Sequence, residues 1–306
     1  MMNSNKILVV IVGPTAVGKT MVSIDLALKF RAEIVSADSR QFYKEMEIGT
    51  AKPTAKEMAT VPHHLIDTLH IDQDYDAGQF VVEANRIVEK QLESSDTVIM
   101  VGGSGLYVKA FCDGLNEMPQ IPKEIRAKLN QEFADFGLVP LLAELEKGDP
   151  SYFEVVDQKN PQRIIRGLEV IRTVGKPFSF FRNQSTQIQH PFKIIKIGLE
   201  MDRENLYKRI EQRMDQMIDM GLFTEAKSLF QDRNYNSLKT VGYQEIFGFL
   251  EGKYDKDEAI RLLKRNSRRY AKRQLTWFKK DEEIRWFNPK DLEGMEQYIE
   301  SIRSLS

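Results

Sequence analysis

One cysteine, Cys112, stands in 306 residues. That scarcity excludes a disulfide framework and any cysteine-based structural zinc site, and it fits a reducing compartment, or one that needs no disulfides. Long apolar runs are missing too. The longest near the N-terminus is Ile7 to Val12, against the ~20 residues a membrane-spanning helix needs. Lys6 followed by that run is not a secretion signal, because cleavage there would cut the glycine-rich motif beginning at Gly13. Asn183-Gln184-Ser185 matches a glycosylation acceptor; with no secretion signal it reads as chance, and the expected location is cytoplasmic. Charge of one sign is not in excess either: 44 Lys+Arg face 45 Asp+Glu, a net charge of -1. A uniformly basic nucleic-acid binder is excluded, a local basic face is not. His63, His64, His70 and His190 form no metal-ligand pattern, and no internal repeat or low-complexity tract occurs.

What is present reads as a soluble globular chain of about two domains. Ile7 to Val12 is continuously apolar and β-branched, as a strand buried on both faces should be. Gly13 to Gly18 follows as a loop, then a helix from Lys19 to about Phe30. Further strands are expected at Glu33 to Ala37, weakly at Leu65 to Asp67, and at Thr97 to Val101. Between the last two, Phe80, Ala84, Ile87, Val88 and Leu92 recur at helical spacing. Alternating strands and helices predict a mostly parallel α/β sheet. From Lys123 to Thr173 the patterns are helical, with Asn160 as N-cap, Pro161 at the first helical position and Gly175 as the stop. Phe178 to His190 reads as loop, Phe192 to Leu199 as a returning strand, and helices dominate afterwards. These include a stripe of Leu206, Ile210, Met214, Met217 and Ile218, a long helix over Lys256 to Phe278, and a last strand at Ile284 to Phe287. The expected organisation is an α/β core from 1–117 and 190–306, helical in its C-terminal part, with a helical insertion at 118–189.

Gly13-Pro14-Thr15-Ala16-Val17-Gly18-Lys19-Thr20 is a complete G-x-x-x-x-G-K-T phosphate loop. The glycines let backbone N–H groups converge on an anion, the following helix adds its positive end, Lys19 a point charge and Thr20 a hydroxyl for Mg²⁺. NTP hydrolases place an acid after another buried strand; here Thr97 to Val101 runs into Gly102-Gly103-Ser104 instead. That turn suits either a second phosphate contact through Ser104 or simply a tight bend. The missing acid weakens an NTPase reading and leaves room for a diphosphate that is not hydrolysed. Asp38 ends the second strand, at the sheet edge where α/β proteins bind ligands. Local sequence divides evenly between a functional carboxylate, as general base or as a holder of Mg²⁺ through water, and a cap of the following turn or helix.

Together the motifs resemble the tRNA dimethylallyltransferase (tRNA isopentenyltransferase) family. The matching runs are GPTAVGKT at 13–20, ADSRQFYKEMEIGTAKP at 37–53, VGGSGLYVKA at 101–110, NPQRIIRGLEVIRT at 160–173, RIEQRMDQMIDMGL at 209–222, VGYQEI at 241–246 and AKRQLTWF at 271–278. They stand in family order over nearly the whole chain. The resemblance implies a P-loop NTPase-like core and a reaction: the dimethylallyl group of dimethylallyl diphosphate moves to N6 of the adenosine 3′ of the anticodon, diphosphate leaves, and Mg²⁺ assists. It implies Asp38 as the base, Lys19 and Arg213 as further catalytic groups, and diphosphate contacts from residues 13–20, Ser104 and Arg213. Without it, Arg213 would read as a solvated helix arginine beside Arg209. The implied partner is the tRNA anticodon stem-loop. Its contacts would be Asp38, Ser39, Arg40, Gln41, Ser104, Arg126, Gln162, Arg163, Ile164, Ile165, Arg166, Arg269, Lys272 and Arg273, on a chain expected to act as a monomer away from membranes. Ser104 stands where many relatives have threonine, and the chain lacks the zinc-finger extension of some eukaryotic relatives.

Arg261 to Lys280 carries nine Lys/Arg and no Asp or Glu. By itself this is a solvated helix face; with the resemblance it is an electrostatic track for RNA. Tyr270, Trp277 and Phe278 interleave with it at spacing usual for core. Competing readings are a P-loop kinase of a small metabolite, an isopentenyltransferase on free adenine nucleotides, and a nonenzymatic RNA binder. The first leaves the basic helix unexplained, the second needs no anticodon-loop surface, and the third needs neither Lys19-Thr20 nor Asp38.

Overall fold

The computed structural model describes residues 6–182 and 188–304, so the Asn183-Gln184-Ser185 acceptor lies outside the described residues. The chain divides into two compact units, Met1–Cys112 with Gln189–Ser306, and Asp113–Ile188. Among the described residues no helix is long and apolar enough to cross a membrane.

The larger unit is built on six strands: β1 (Ile7–Val12), β2 (Ile34–Ser36), β3 (His63–His64), β4 (Thr97–Gly102), β5 (Lys193–Leu199) and β6 (Arg285–Phe287). Their order is β3-β2-β4-β1-β5-β6, and every pairing is parallel. The continuous apolar run of β1 is explained by its central place. Successive side chains of a strand point to opposite faces, so Ile7, Val9 and Ile11 join one core with Val22, Leu26, Leu206 and Ile210. Leu8, Val10 and Val12 join the other with Phe80, Ala84 and Val88. Each fully buried aliphatic side chain contributes about 1.5–3 kcal/mol. A parallel sheet whose first strand feeds a glycine-rich loop and the helix Lys19–Phe30 is the P-loop NTPase-like α/β fold expected from the sequence.

Register decides where the site forms. Val12 lies opposite Gly102 of β4 and Gly198 of β5, and Ser36 lies opposite Val101. The phosphate loop, the Gly102-Gly103-Ser104 turn and Asp38 therefore leave the sheet at the same carboxyl edge.

Two local expectations shift. The strand expected at Leu65 to Asp67 sits at His63–His64, because Leu65 and Asp67 adopt left-handed φ values of 60° and 55°, which no strand continues through. The segment Phe178–Arg182, expected as loop, is a short helix. The helix Ala77–Ser94 starts at an Asp76–Gln79 capping box.

The smaller unit contains the helices Lys123–Phe136, Val139–Gly148, Pro150–Val155 and Pro161–Val174, with no strand among its described residues. Asn160 accepts from the Arg163 N–H, Pro161 opens the helix, and Gly175 closes it at φ 68°. Leu129, Leu141, Leu145, Ile164, Ile165 and Leu168 form the unit's core, and Arg172 bridges Glu132 and Glu144 on its surface at 2.7 and 2.5 Å.

Candidate active site

A cleft of about 440 Å³ opens at the carboxyl edge of the sheet. The phosphate loop supplies Thr15, Ala16, Gly18, Lys19 and Thr20 to its lining, and Asp38 and Gln41 enter from the segment after β2. The helix Arg203–Asp219 buries Leu206, Ile210, Met214 and Met217 and turns Arg209, Gln212, Arg213 and Gln216 to the cleft. That division is the amphipathic spacing of a half-buried helix. Tyr270 and Gln274 enter from the helix Lys256–Phe278. A smaller cavity of about 70 Å³ shares Thr15, Asp38, Thr50, Arg213 and Tyr270 with the first, and adds Met214, Met217, Leu222 and Val241.

The loop is poised for an anion. Lys19 Nζ donates to the Gly13 and Pro14 carbonyls at 2.9 and 2.8 Å. Burial pulls its ammonium from 10.5 down to about 8; the Asp38 carboxylate opposes that shift and the Arg213 charge adds to it. The N–H of Thr15 goes to Gln274 Oε1 at 2.8 Å and that of Val17 to the Pro14 carbonyl at 3.4 Å; the Val17 side chain is core. The amides of Ala16, Gly18, Lys19 and Thr20 have no partner among the described residues. Arg213 donates to the Thr15 hydroxyl, and its Nε is buried with no hydrogen-bond partner among the described residues. Desolvation holds the Arg213 guanidinium below its ordinary value; Asp38 and Tyr270 oppose that and Arg209 adds to it. Partly buried cationic groups and unmet N–H donors at one end of a cleft form a receptor for a multiply charged anion.

Asp38 is held in an Asx turn, its Oδ1 accepting from the Arg40 N–H at 3.0 Å. Burial, and next the Asp38 carboxylate, push the Tyr270 phenol up. Ser104, expected at the diphosphate, bonds elsewhere. Its Oγ accepts from the Ser39 N–H at 2.9 Å and donates to Ser39 Oγ at 3.0 Å. It is not among the residues lining the cleft, and it fixes the Asp38 segment instead. The glycines beside it are demanded by close approach. A Cβ on Gly102 would lie 2.2 Å from the Ala37 carbonyl oxygen, and one on Gly103 would lie 2.3 Å from Gln274 Nε2.

Gln274 falls inside the AKRQLTWF run, but nothing local marks its role, hidden among lysines and arginines. It is 6% exposed. Its carboxamide accepts from the loop at Thr15 and donates to the Gly103 carbonyl at 2.9 Å, tying the two glycine-rich turns together. Tyr270, Thr50 and Arg209 escape notice as lining groups for the same reason: polar residues on a helix or loop carry no local signature of facing a cleft.

The candidate RNA residues divide. Arg269, Lys272 and Arg273 are exposed and have no acidic partner among the described residues, whereas Arg261, Lys264, Arg268 and Lys279 of the same stretch are each ion-paired. Phe278 is core, Trp277 is 40% exposed. Arg40 Nη1 donates to the Asn236 carbonyl at 2.9 Å. In the smaller unit Gln162 and Arg163 are exposed and Arg166 is half-buried. Arg126 Nη2 donates to Gln162 Oε1 at 3.1 Å, and both Arg126 and Arg166 pair with the buried Glu169, at 3.3 and 3.2 Å. Ile164 and Ile165 correct the expectation of RNA contact. Both are fully buried in the unit's core, because they fall on the face of the helix opposite Gln162 and Arg163. The histidines carry local hydrogen bonds to Val61, Glu33, Glu45 and Phe111.

The sequence profile of the IPP transferase family matches residues 41–281. The chain is 50% identical over 297 residues to the tRNA dimethylallyltransferase of Cytophaga hutchinsonii, with 97% of each chain covered. It is 46% identical over 292 residues to tRNA dimethylallyltransferase 1 of Bacteroides thetaiotaomicron, covering 95% of this chain and 94% of that one. Its fold is similar to that of the tRNA isopentenylpyrophosphate transferase of Bacillus halodurans, with a TM-score of 0.72 and 38% identity over 98% of this chain and 97% of that one. It is also similar to a eukaryotic dimethylallyltransferase acting on tRNA, with a TM-score of 0.76 and 25% identity over 94% of this chain and 75% of that one.

Proposed function

The chain belongs to the IPP transferase family, and from that premise we propose how its own residues carry out the reaction. It is an enzyme that transfers a dimethylallyl group to tRNA; we take the acceptor to be N6 of the adenosine 3′-adjacent to the anticodon, with diphosphate released. We take the donor to be dimethylallyl diphosphate, bound with its diphosphate at the phosphate loop. The observation that carries this reading is that two cations, Lys19 on the phosphate loop and Arg213 bonded to Thr15 of that loop, line one cleft with Asp38.

An exocyclic adenine nitrogen is a poor nucleophile because its lone pair is delocalised into the ring. Asp38 would accept the N6 proton as the N6–C bond forms and the allylic C–O bond breaks. The allylic carbon tolerates positive charge, so the main electrostatic demand is on the departing diphosphate. The loop amides, Lys19 and Arg213 meet it with fixed donors in a desolvated site. At pH 7 a lysine titrating near 8 remains mostly charged. Among the described residues no cluster of three or more His, Cys, Asp or Glu is assembled. Thr20 lines the cleft beside Lys19, and a hydroxyl oxygen there suits Mg²⁺, which binds substrate phosphates with few protein oxygens. Thr20 would hold it, and when bound it would neutralise charge on the diphosphate.

The adenosine must leave its stack to reach Asp38. Ser39, Arg40 and Gln41 adjoin that carboxylate and would meet the extruded nucleotide. In the smaller unit Arg126, Gln162, Arg163 and Arg166 would contact tRNA; in the larger, Arg269, Lys272 and Arg273, which have no acidic partner among the described residues, would do so independently. We take the chain to act as a monomer in the cytoplasm, where a tRNA substrate would be met. The test offers labelled dimethylallyl diphosphate with Mg²⁺ to unmodified tRNA and to AMP in parallel. Label in tRNA alone is expected. Label in AMP alone would select an enzyme of free nucleotides, and label in neither would redirect attention to phosphoryl transfer.

A further inference from the structure

The turn Ile48–Thr50 borders both cavities: Thr50 and Ala51 line the larger, Gly49 and Thr50 the smaller. Short turns of this kind are ordinarily mobile, yet this one is fastened from two sides. On one side three consecutive amides converge on Glu225. Its Oε2 accepts from the Glu47 and Ile48 N–H groups at 3.1 and 2.7 Å, and its Oε1 from the Gly49 N–H at 2.9 Å. The Tyr243 hydroxyl adds a fourth donor to Oε1 at 2.6 Å. On the other side Gln41 Nε2 donates to the Thr50 and Ala51 carbonyls at 3.3 and 3.2 Å, and the Gln41 N–H donates to the Asp38 carbonyl at 3.2 Å. The Thr50 hydroxyl closes the turn onto the Met46 carbonyl at 2.7 Å. Gly49 sits against the Tyr243 ring so closely that a Cβ would lie 2.6 Å from it, and Tyr243 itself is fully buried.

We infer that Glu225 is a positioning residue for the transfer. Its carboxylate fixes the Ile48–Thr50 turn as a wall of the cavity that holds Asp38 and Arg213, and so sets where the reacting carbon and the acceptor nitrogen meet. The inference rests on the transferase reading above. The chemistry explains why a carboxylate stands there: four donors converge on two oxygens, and only an ionised carboxylate accepts at every position without bringing a hydrogen of its own. Glutamine keeps the shape but sets an amide nitrogen against two backbone donors at the Oε2 position, or against the Gly49 N–H and a Tyr243 hydroxyl that must turn to accept at the Oε1 position. A residue needed only for packing tolerates that exchange; a residue needed as a four-fold acceptor does not. Displacement of a site wall by about 1 Å is enough to lower a rate by ~10²-fold.

The experiment compares Glu225→Gln, Glu225→Asp and Tyr243→Phe with the wild type, as full chains with Mg²⁺, dimethylallyl diphosphate and unmodified tRNA. Single-turnover rate, tRNA affinity and melting temperature are read for each. Expected are a 30-fold or greater loss of rate in Glu225→Gln, partial recovery in Glu225→Asp, a several-fold loss in Tyr243→Phe, and tRNA affinity within about threefold of wild type throughout. Wild-type rate in Glu225→Gln overturns the inference, with or without a lowered melting temperature. If Glu225→Gln does not fold, Tyr243→Phe decides, and a wild-type rate there overturns it as well. Absence of transfer by the wild type would instead overturn the functional reading on which the inference rests.

Discussion

Replacing Lys19 by methionine should change how the stability of the free protein depends on pH, by an amount that follows from the desolvation of its ammonium. The folded value is about 8 against an ordinary 10.5. The unfolded chain therefore holds the proton more tightly, and stability rises with pH through this window. The penalty that Lys19 imposes on folding is about 3 kcal/mol at pH 7. It shrinks to about 2 kcal/mol at pH 9 and vanishes above the unfolded value. Methionine has the length and none of the charge. The absolute difference at any one pH also contains the lost hydrogen bonds to the Gly13 and Pro14 carbonyls, so the pH dependence isolates the ammonium. Urea unfolding of both proteins at pH 7, 8 and 9 should show the wild type gaining about 1 kcal/mol on the variant across that range. The same variant should lose binding of inorganic diphosphate. Parallel stability profiles would refute the claim that Lys19 is held desolvated and ready for an anion.

Asp38→Ala should lower single-turnover transfer by ~10²–10⁴-fold, the usual scale of general-base catalysis, with tRNA affinity largely intact; normal transfer would remove the base assignment. Gly103→Ala should displace the Gln274 carboxamide, whose Nε2 would lie 2.3 Å from the new methyl. It and Gln274→Ala should weaken diphosphate binding alike, with little further loss in the double variant; additive losses in a binding titration would show that the tie between the two turns is not the shared cause. Alanine at Arg269, Lys272 or Arg273 should reduce the slope of log tRNA affinity against log salt by about 1 each. Arg261→Ala should leave that slope nearly unchanged because its charge is paired with Glu258 at 2.6 Å, and equal slopes in all four variants would sink the assignment of the RNA face.

How much of this was legible in the sequence depends on the range of the signal. The phosphate loop, β1, the helix Lys19–Phe30 and the helix Lys256–Phe278 are written locally, in apolar period, glycine placement and caps, and each appears with the boundaries its residues imply. Asp38 was visible as a residue at a sheet edge, but its role was open until other motifs joined it, since a carboxylate after a strand caps turns as readily as it takes protons. Ser104 and Ile164–Ile165 are placed differently from what their motifs suggest, for one reason. A motif fixes which residues recur together, and not which of them face the ligand. Ser104 lies in a turn that resembles a phosphate-binding one yet bonds Ser39, and the two isoleucines lie in the helix proposed to meet RNA yet fill its core face. Gln274 and Glu225 were beyond reach for the complementary reason. Each bonds backbone groups more than 170 residues away, and a backbone amide has no identity in a sequence. The chemistry of this site is thus spelled by side chains that local pattern can find, while its geometry depends on two side chains, Gln274 and Glu225, that recognise chiefly the backbone of distant turns. Substitutions at those two positions should therefore disturb rate more than they disturb folding.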